Sequence, residues 1–173
     1  MNGGDDTKVA ELRRYLELVA DQLQKPVAVE DLVRRADAVD AVYIPGGHGP
    51  MEDLPASAAL GQLVSDLHAS GRVVAAMCHG PAGLLAARRP DGGWLFEGRR
   101  VTAFTDAEEQ QVGLADQAWL LEDRLRQQGA IFESGPAWQP HVVTDGRLIT
   151  GQNPASSQAT ADQTLAAIEV RQR

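Results

Sequence analysis

The sequence predicts an α/β protein, a three-layer sandwich in which helices cover both faces of a mostly parallel sheet, folded as a single domain over residues 1–173. Three observations predict it. Residues 73–77 are a short, unbroken apolar run, the pattern of a strand buried on both faces. A strand at 40–45, a helix at 57–69 and this run make a β-loop-α-β unit, which implies a right-handed crossover and parallel pairing. The run then breaks at Cys78-His79-Gly80, and small and aliphatic residues resume at helical spacing. A strand that turns sharply into a helix with a nucleophilic side chain at the corner is a nucleophile elbow.

The elements follow in order. Residues 1–7 are rich in Gly and Asp and read as loop. A helix is predicted over 8–23, with Val9, Leu12, Leu16, Val19 and Leu23 on one face, and Pro26 ends it. A second short helix is predicted over 29–36. The strand at 40–45 runs into Gly46-Gly47-His48-Gly49-Pro50, which no helix tolerates. Ser57 caps the next helix, which buries Leu60, Leu63, Val64 and Leu67. The elbow helix extends to Ala87. Strands are predicted at 94–96 and 100–104, then a polar connection at 105–113. A helix over 119–128 stops at Gly129 in the C′ position, and a short strand follows at 131–133. Segments 141–144 and 147–150 flank Asp145-Gly146, the strongest hairpin signal in the chain. Asn153 caps the last helix, with Pro154 at its first position and Leu165 and Ile168 on its inner face.

Composition narrows the function classes. A formal net charge of −8 with no basic stripe argues against nucleic-acid binding. No apolar run approaches the ~20 residues that cross a bilayer, so no membrane partner is expected. The polar, acidic start predicts no secretory leader. A single cysteine cannot form an internal disulfide, which fits a reducing, cytoplasmic setting. There is no GxGxxG after a strand and no GxxxxGK[ST], so no nucleotide cofactor is implied and none is expected.

The corner carries the chemistry. Cys78, at a helix N-terminus, is the candidate nucleophile, and the helix dipole there is expected to lower its pKa from ~8.5. The backbone N–H of His79 is one natural oxyanion donor, and those of Gly46 and Gly47 end the neighbouring strand at the same sheet edge. His79 is the candidate base or acid, since its ordinary pKa of ~6.5 lies near working pH. Its partner is sought among Asp106, Glu108 and Glu109, which follow the strand ending at Phe104. No two of His48, His68, His79 and His141 show HxxxH or HxH spacing, so no metal site is expected.

Three stretches also resemble one family. Ala76-Met77-Cys78-His79-Gly80-Pro81-Ala82, Tyr43-Ile44-Pro45-Gly46-Gly47-His48-Gly49-Pro50 and Gly151-Gln152-Asn153-Pro154-Ala155-Ser156-Ser157 are similar to motifs of the ThiJ/PfpI superfamily. Within it the chain resembles the branch of glutathione-independent glyoxalases and heat-inducible holding chaperones. The resemblance runs from about Asp40 to the C-terminus. It implies a flavodoxin-like, class I glutamine-amidotransferase-like fold and favours Glu109, by its offset from Phe104, over Glu108 as the acidic partner. It places His141 near the pocket, and it implies a homodimer; His48, after the double glycine, and Asn153 and Ser156, which helix capping also explains, are pocket candidates by their positions in the sequence. It also implies an N-terminal strand and helix bearing a glutamate against the cysteine sulfur. No such strand precedes Tyr15, so the natural chain is expected to begin upstream of Met1, a shortened protein being the rival.

The expected activity is conversion of small 2-oxoaldehydes, methylglyoxal to lactate, without glutathione and through Cys78. The alternatives are a holding chaperone and a cysteine hydrolase of the amidase or peptidase type.

Overall fold

The computed structural model describes residues 6–113 and 119–171. Its central sheet has four strands: β1 (Ala41–Ile44), β2 (Val73–Met77), β5 (Val142–Asp145) and β6 (Leu148–Gly151), in the order β1-β2-β6-β5. β1 and β6 both run parallel to β2, and β5 pairs antiparallel with β6 as the hairpin partner. Val73 through Met77 are all buried, as the unbroken apolar run requires. Alternate residues of β2 serve opposite faces. Val74 and Ala76 join the core formed with Leu60, Leu63, Val64 and Leu67 of α4 (Ala58–Ala69). Val73 and Ala75 pack with Ile149 against Ala167 and Ile168 of α7 (Ser157–Arg171). These are the three layers that the sequence predicts.

Local signals place the element ends. The Ser57 hydroxyl accepts from the Leu60 N–H at 3.3 Å, capping α4. The Asn153 carboxamide accepts from the Ser156 N–H, opening the short 3-10 turn Pro154–Ser156 that leads into α7. The hairpin turns at Gly146-Arg147, one residue later than Asp145-Gly146, with Gly146 at φ +64°.

Several expectations give way. The elbow helix is 3-10, Gly80–Ala86, because Pro81 and two glycines disfavour an α-helix there. Residues 94–96 form no strand; only an isolated bridge joins Trp94 to Arg88. Trp94 instead turns inward, its indole N–H donating to the Leu84 carbonyl at 2.8 Å, and Phe96 is fully buried. Of 100–104, only Arg100–Val101 (β3) pairs in a ladder, with β4 (Ile131–Phe132). The chain beyond stays tied to the main sheet: the Thr102 N–H donates to Thr150 Oγ1 and the Phe104 N–H to the Cys78 carbonyl.

The connection at 105–113 contains a helix, α5 (Asp106–Gln111), started by a Thr105–Glu108 capping box. Residues 29–36 split into α2 (Val29–Val33) and a 3-10 turn, Ala36–Ala38. α3 is Pro50–Asp53, and the helix predicted over 119–128 is α6, Leu121–Gln127, with Gly129 just past it at φ +91°. Leu165 is exposed rather than inward. The expected loop at 1–7 lies outside the described residues through Asp5, and α1 (Asp6–Gln24) begins at Asp6. The apolar stripe on α1 has little cover: Val9, Leu12, Leu16 and Leu23 are all exposed. Among the described residues no helix is long and apolar enough to cross a membrane.

Candidate active site

The elbow is built by close backbone approach. Gly80 lies so near β1 that a Cβ on it would sit 2.1 Å from the Ile44 carbonyl oxygen. A Cβ on Gly46 would fall 2.5 Å from Cys78 Cβ and 3.0 Å from its sulfur. Glycine at both positions lets the ends of β1 and β2 converge on the nucleophile. Cys78 itself has φ +57°, a left-handed conformation that costs a non-glycine residue ~1–3 kcal/mol and collects at functional sites. The Cys78 N–H donates to the Gly151 carbonyl, and the Cys78 carbonyl accepts from the Phe104 N–H, so two neighbouring segments hold the corner in that conformation.

A chain of contacts runs from the sulfur. Cys78 Sγ lies 3.3 Å from His79 Nδ1, and His79 Nε2 lies 2.7 Å from Glu109 Oε1. All three residues are buried. The Glu109 carboxylate fixes the tautomer: Nε2 carries the proton and donates it, so the Nδ1 lone pair faces the thiol. Phe104 stacks on the imidazole with ring centroids 4.6 Å apart. His48, on the loop after β1, brings its ring to 4.2 Å from that of His79 and its Nε2 to 3.8 Å from Glu109 Oε2. The backbone N–H groups of Gly47 and His79 lie near enough to the Cys78 sulfur to favour its charged form.

Burial dominates the electrostatics. It pushes the Cys78 thiol above its ordinary value; the two N–H groups pull it down by less, and the charges of Glu108 and Glu109 push it up further. The expectation of a lowered thiol pKa is therefore overturned. The helix that was to supply the dipole is a seven-residue 3-10 turn, and the residues around the sulfur exclude water. Burial also lowers the His79 pKa, opposed by its bond to Glu109, so the imidazole is neutral at pH 7.

Glu108 has a separate position. Its Oε1 accepts from the Trp138 N–H at 2.8 Å, Asn153 Nδ2 at 2.8 Å and Gln152 Nε2 at 3.2 Å, while Oε2 accepts from the Thr105 N–H and hydroxyl. Burial raises its pKa, but these bonds outweigh that and hold it below the usual range. Glu108 thus ties α5 to the segment at 138 and to the start of the last helix. Trp138 is pinned there at φ +64°, its ring against Phe104.

The structure gathers Cys78, His79, Glu109, His48, Gly46 and Gly47 at one point. Asn153 sits one shell away, with both ends of its carboxamide engaged by Glu108, Gln139 and Ser156. His141 packs against Gly135, and among the described residues no hydrogen bond, ion pair or ring contact joins it to Cys78, His79 or Glu109. Asp106 faces Glu122 and Asp123, away from His79. Sequence reasoning missed Glu108 as a buried hub and Trp138 as its partner. The Thr105-x-x-Glu108 capping-box spacing would have placed both glutamates on a helix.

A strand-elbow cysteine backed by histidine and a buried carboxylate, on a mostly parallel sheet between helical layers, defines an α/β protein of the nucleophile-elbow class. The model of the DJ-1/PfpI family matches residues 3–167, and the chain belongs to that family. It is 34% identical to the glutathione-independent glyoxalase HSP31 of Saccharomyces cerevisiae, across 98% of this chain and 72% of that protein. It is 33% identical to Glyoxalase 3 of Candida albicans, across 83% of this chain and 65% of that one. The crystal structure of glyoxalase III from Candida albicans superimposes with a TM-score of 0.69 at 31% identity, covering 77% of this chain and 61% of that chain.

Proposed function

We propose that the chain is a glutathione-independent glyoxalase that converts methylglyoxal and similar small 2-oxoaldehydes to 2-hydroxy acids. One observation carries the reading: the continuous contact from Cys78 Sγ through His79 to the buried Glu109 carboxylate. Relatives bearing the glyoxalase name support it.

The chemistry follows from the geometry. The resting pair is neutral, thiol beside imidazole. As the sulfur attacks the aldehyde carbon, His79 Nδ1 takes the thiol proton, and the N–H groups of Gly47 and His79 receive the developing oxyanion. Protonation of that oxygen gives a hemithioacetal. His79 then removes the C1 proton and returns one at C2 through an enediol, leaving a lactoyl thioester on Cys78. Water cleaves the thioester, releasing lactate and the free thiol. The net change is addition of one water, so no redox partner is consumed. Glu109 stabilises the imidazolium each time it forms. Cys78 is only 7% exposed, which restricts the site to small carbonyl compounds. The lone cysteine and the family resemblance support a cytoplasmic homodimer.

The test is lactate formation from methylglyoxal without glutathione, by this chain and by Cys78→Ala. Turnover in the first and none in the second is expected. Equal rates in both would refute the reading. Turnover of amide or ester substrates with none of oxoaldehydes would transfer it to a hydrolase. A holding chaperone is favoured by the uncovered apolar residues of α1, with Leu12 58%, Leu18 74% and Leu23 64% exposed. That activity would survive Cys78→Ala in an aggregation-suppression assay.

A further inference from the structure

His48, His79 and Glu109 come from three separate segments, which is why motif spacing shows nothing, yet each offers a ligand atom within 4.8 Å of the others. Glu109 uses one oxygen on His79. Its other oxygen, Oε2, is buried, accepts no hydrogen bond, and lies 3.8 Å from His48 Nε2. An orphaned carboxylate oxygen in a buried site is costly, and it lies next to an imidazole nitrogen that can also act as a ligand.

We propose that His48, His79 and Glu109 form a binding site for a transition-metal dication of the Zn²⁺ type, and that its occupancy switches off the Cys78 chemistry. The donor set suits the ion: two imidazoles and a carboxylate leave a fourth, tetrahedral position for water. Ligand bonds of ~2.0–2.2 Å place tetrahedral donor atoms roughly 3.3–3.6 Å apart. The present separations are 2.7 Å from His79 Nε2 to Glu109 Oε1 and 3.8 Å from His48 Nε2 to Glu109 Oε2, on the two different carboxylate oxygens, and one ligand atom from each residue lies within 4.8 Å of the others. The His79–Glu109 pair must open by a few tenths of an ångström, and the larger movement falls on His48, whose side chain is 54% exposed. Its loop has room, since a Cβ at Gly47 or Gly49 would meet nothing within 4 Å.

The switch is a matter of tautomers. A metal on His79 Nε2 displaces the proton that bonds Glu109 and leaves the ring's one proton on Nδ1. Nδ1 then points an N–H at the Cys78 sulfur and cannot accept from it. The ion also occupies the carboxylate that would stabilise an imidazolium. This inhibitory half rests on the proposed Cys78–His79 chemistry, whereas the binding half does not.

The test is titration of the metal-stripped full chain with Zn²⁺ against a chromogenic chelator, with Co²⁺ as the spectroscopic probe. One ion per chain is expected. Four-coordinate Co²⁺ bands should appear in the visible without a strong sulfur-to-metal band in the near ultraviolet. His48→Ala and Glu109→Gln should each weaken binding by at least ~10-fold, and Cys78→Ala should leave it within about threefold. Circular dichroism confirms that each variant is folded, and the exposed His48 side chain makes that variant the safest. No saturable binding, or binding lost in Cys78→Ala and kept in His48→Ala, would overturn the site. Binding that leaves methylglyoxal turnover unchanged would overturn the switch alone. A chain without glyoxalase activity would still report on the site through Co²⁺.

Discussion

Glu108 and Glu109 are adjacent, both buried and both acidic, yet the structure gives them opposite tasks, so the same substitution should separate them. In Glu109→Gln the side chain keeps its shape. Its carbonyl oxygen can still accept from His79 Nε2, now 2.7 Å away, and its amide replaces an oxygen that bonds nothing. Stability should change by less than ~1 kcal/mol, because a modest charge-assisted bond and a buried charge are lost together. Catalysis should suffer more, since no negative charge remains beside the imidazolium. A loss of ~10²–10³ in kcat/KM, about 3–4 kcal/mol of transition-state stabilisation, is expected for methylglyoxal turnover. Glu109 raises the His79 pKa against burial, so its removal lowers that pKa further and moves the acid limb of the pH–rate profile to lower pH.

Glu108→Gln should behave in the reverse way. Whichever way the amide turns, its NH₂ faces a backbone donor, the N–H of Thr105 or of Trp138. An unsatisfied buried donor plus weakened bonds from Asn153 and Gln152 should cost ~2–4 kcal/mol, or a fall in Tm of roughly 5–15 °C. The lowered pKa of Glu108 means that its contribution is present above the ordinary carboxylate value, 4.5, and fades as pH falls through the folded value. Thermal melts of the two variants at pH 7 and pH 4, beside steady-state lactate assays, provide the comparison. An active Glu109→Gln within threefold of the parent, or a Glu108→Gln that loses activity with unchanged Tm, would refute the assignment.

Other expectations are simpler. Gly46→Ala would put a Cβ 2.5 Å from Cys78 Cβ, and a nucleophile displaced by ~1 Å should cost on the order of 10²-fold in activity; full activity in a lactate assay would argue against the convergence of β1 and β2 on Cys78. Cys78 should alkylate slowly at pH 7, with a rate–pH midpoint above the ordinary thiol value of ~8.5; a midpoint below 7 in an iodoacetamide series would mean a preformed thiolate. Asp106 is raised to about 6 by burial and by Glu122 and Asp123. A carboxyl raised in the folded state loses stability as pH climbs from its unfolded value toward about 6, so Asp106→Asn should stabilise the chain at pH 7.5 by roughly 1 kcal/mol, solvent screening reducing the full effect, and have no such effect at pH 3.5. Urea unfolding at the two pH values checks it.

The centre of the sheet was legible because β2 is buried on both faces: Val73 to Met77 can be little else, and Ser57, Asn153 and Gly146 mark boundaries by local chemistry. The failures share one cause. Trp94 and Phe96 have the composition of a strand, but their partners are Leu84 and the core, contacts that no local pattern encodes. Thr105 to Gly113 looks solvated because polar side chains are usually outside, and only the three-dimensional convergence of Thr105, Trp138, Gln152 and Asn153 makes burial of Glu108 affordable. In the site, the motifs pointed to Cys78, Gly46 and Gly47, and the resemblance favoured Glu109 over Glu108; the physical reason lay in the helical turn of α5, which aims one carboxylate at the imidazole and the other at the backbone.

The same burial decides how the cysteine can work. A thiolate at rest would need a cation beside it, but burial keeps His79 neutral and pushes the thiol up. What remains is a proton that moves only when the sulfur attacks, from Sγ to the Nδ1 lone pair that Glu109 holds in place 3.3 Å away. The left-handed backbone at Cys78 supports this arrangement. It turns the side chain back toward its own neighbour, so adjacent residues, which an ordinary strand would point to opposite faces, share one hydrogen bond. A relaxed conformation at Cys78 would leave Sγ and Nδ1 on opposite sides of the sheet, with no base for the thiol.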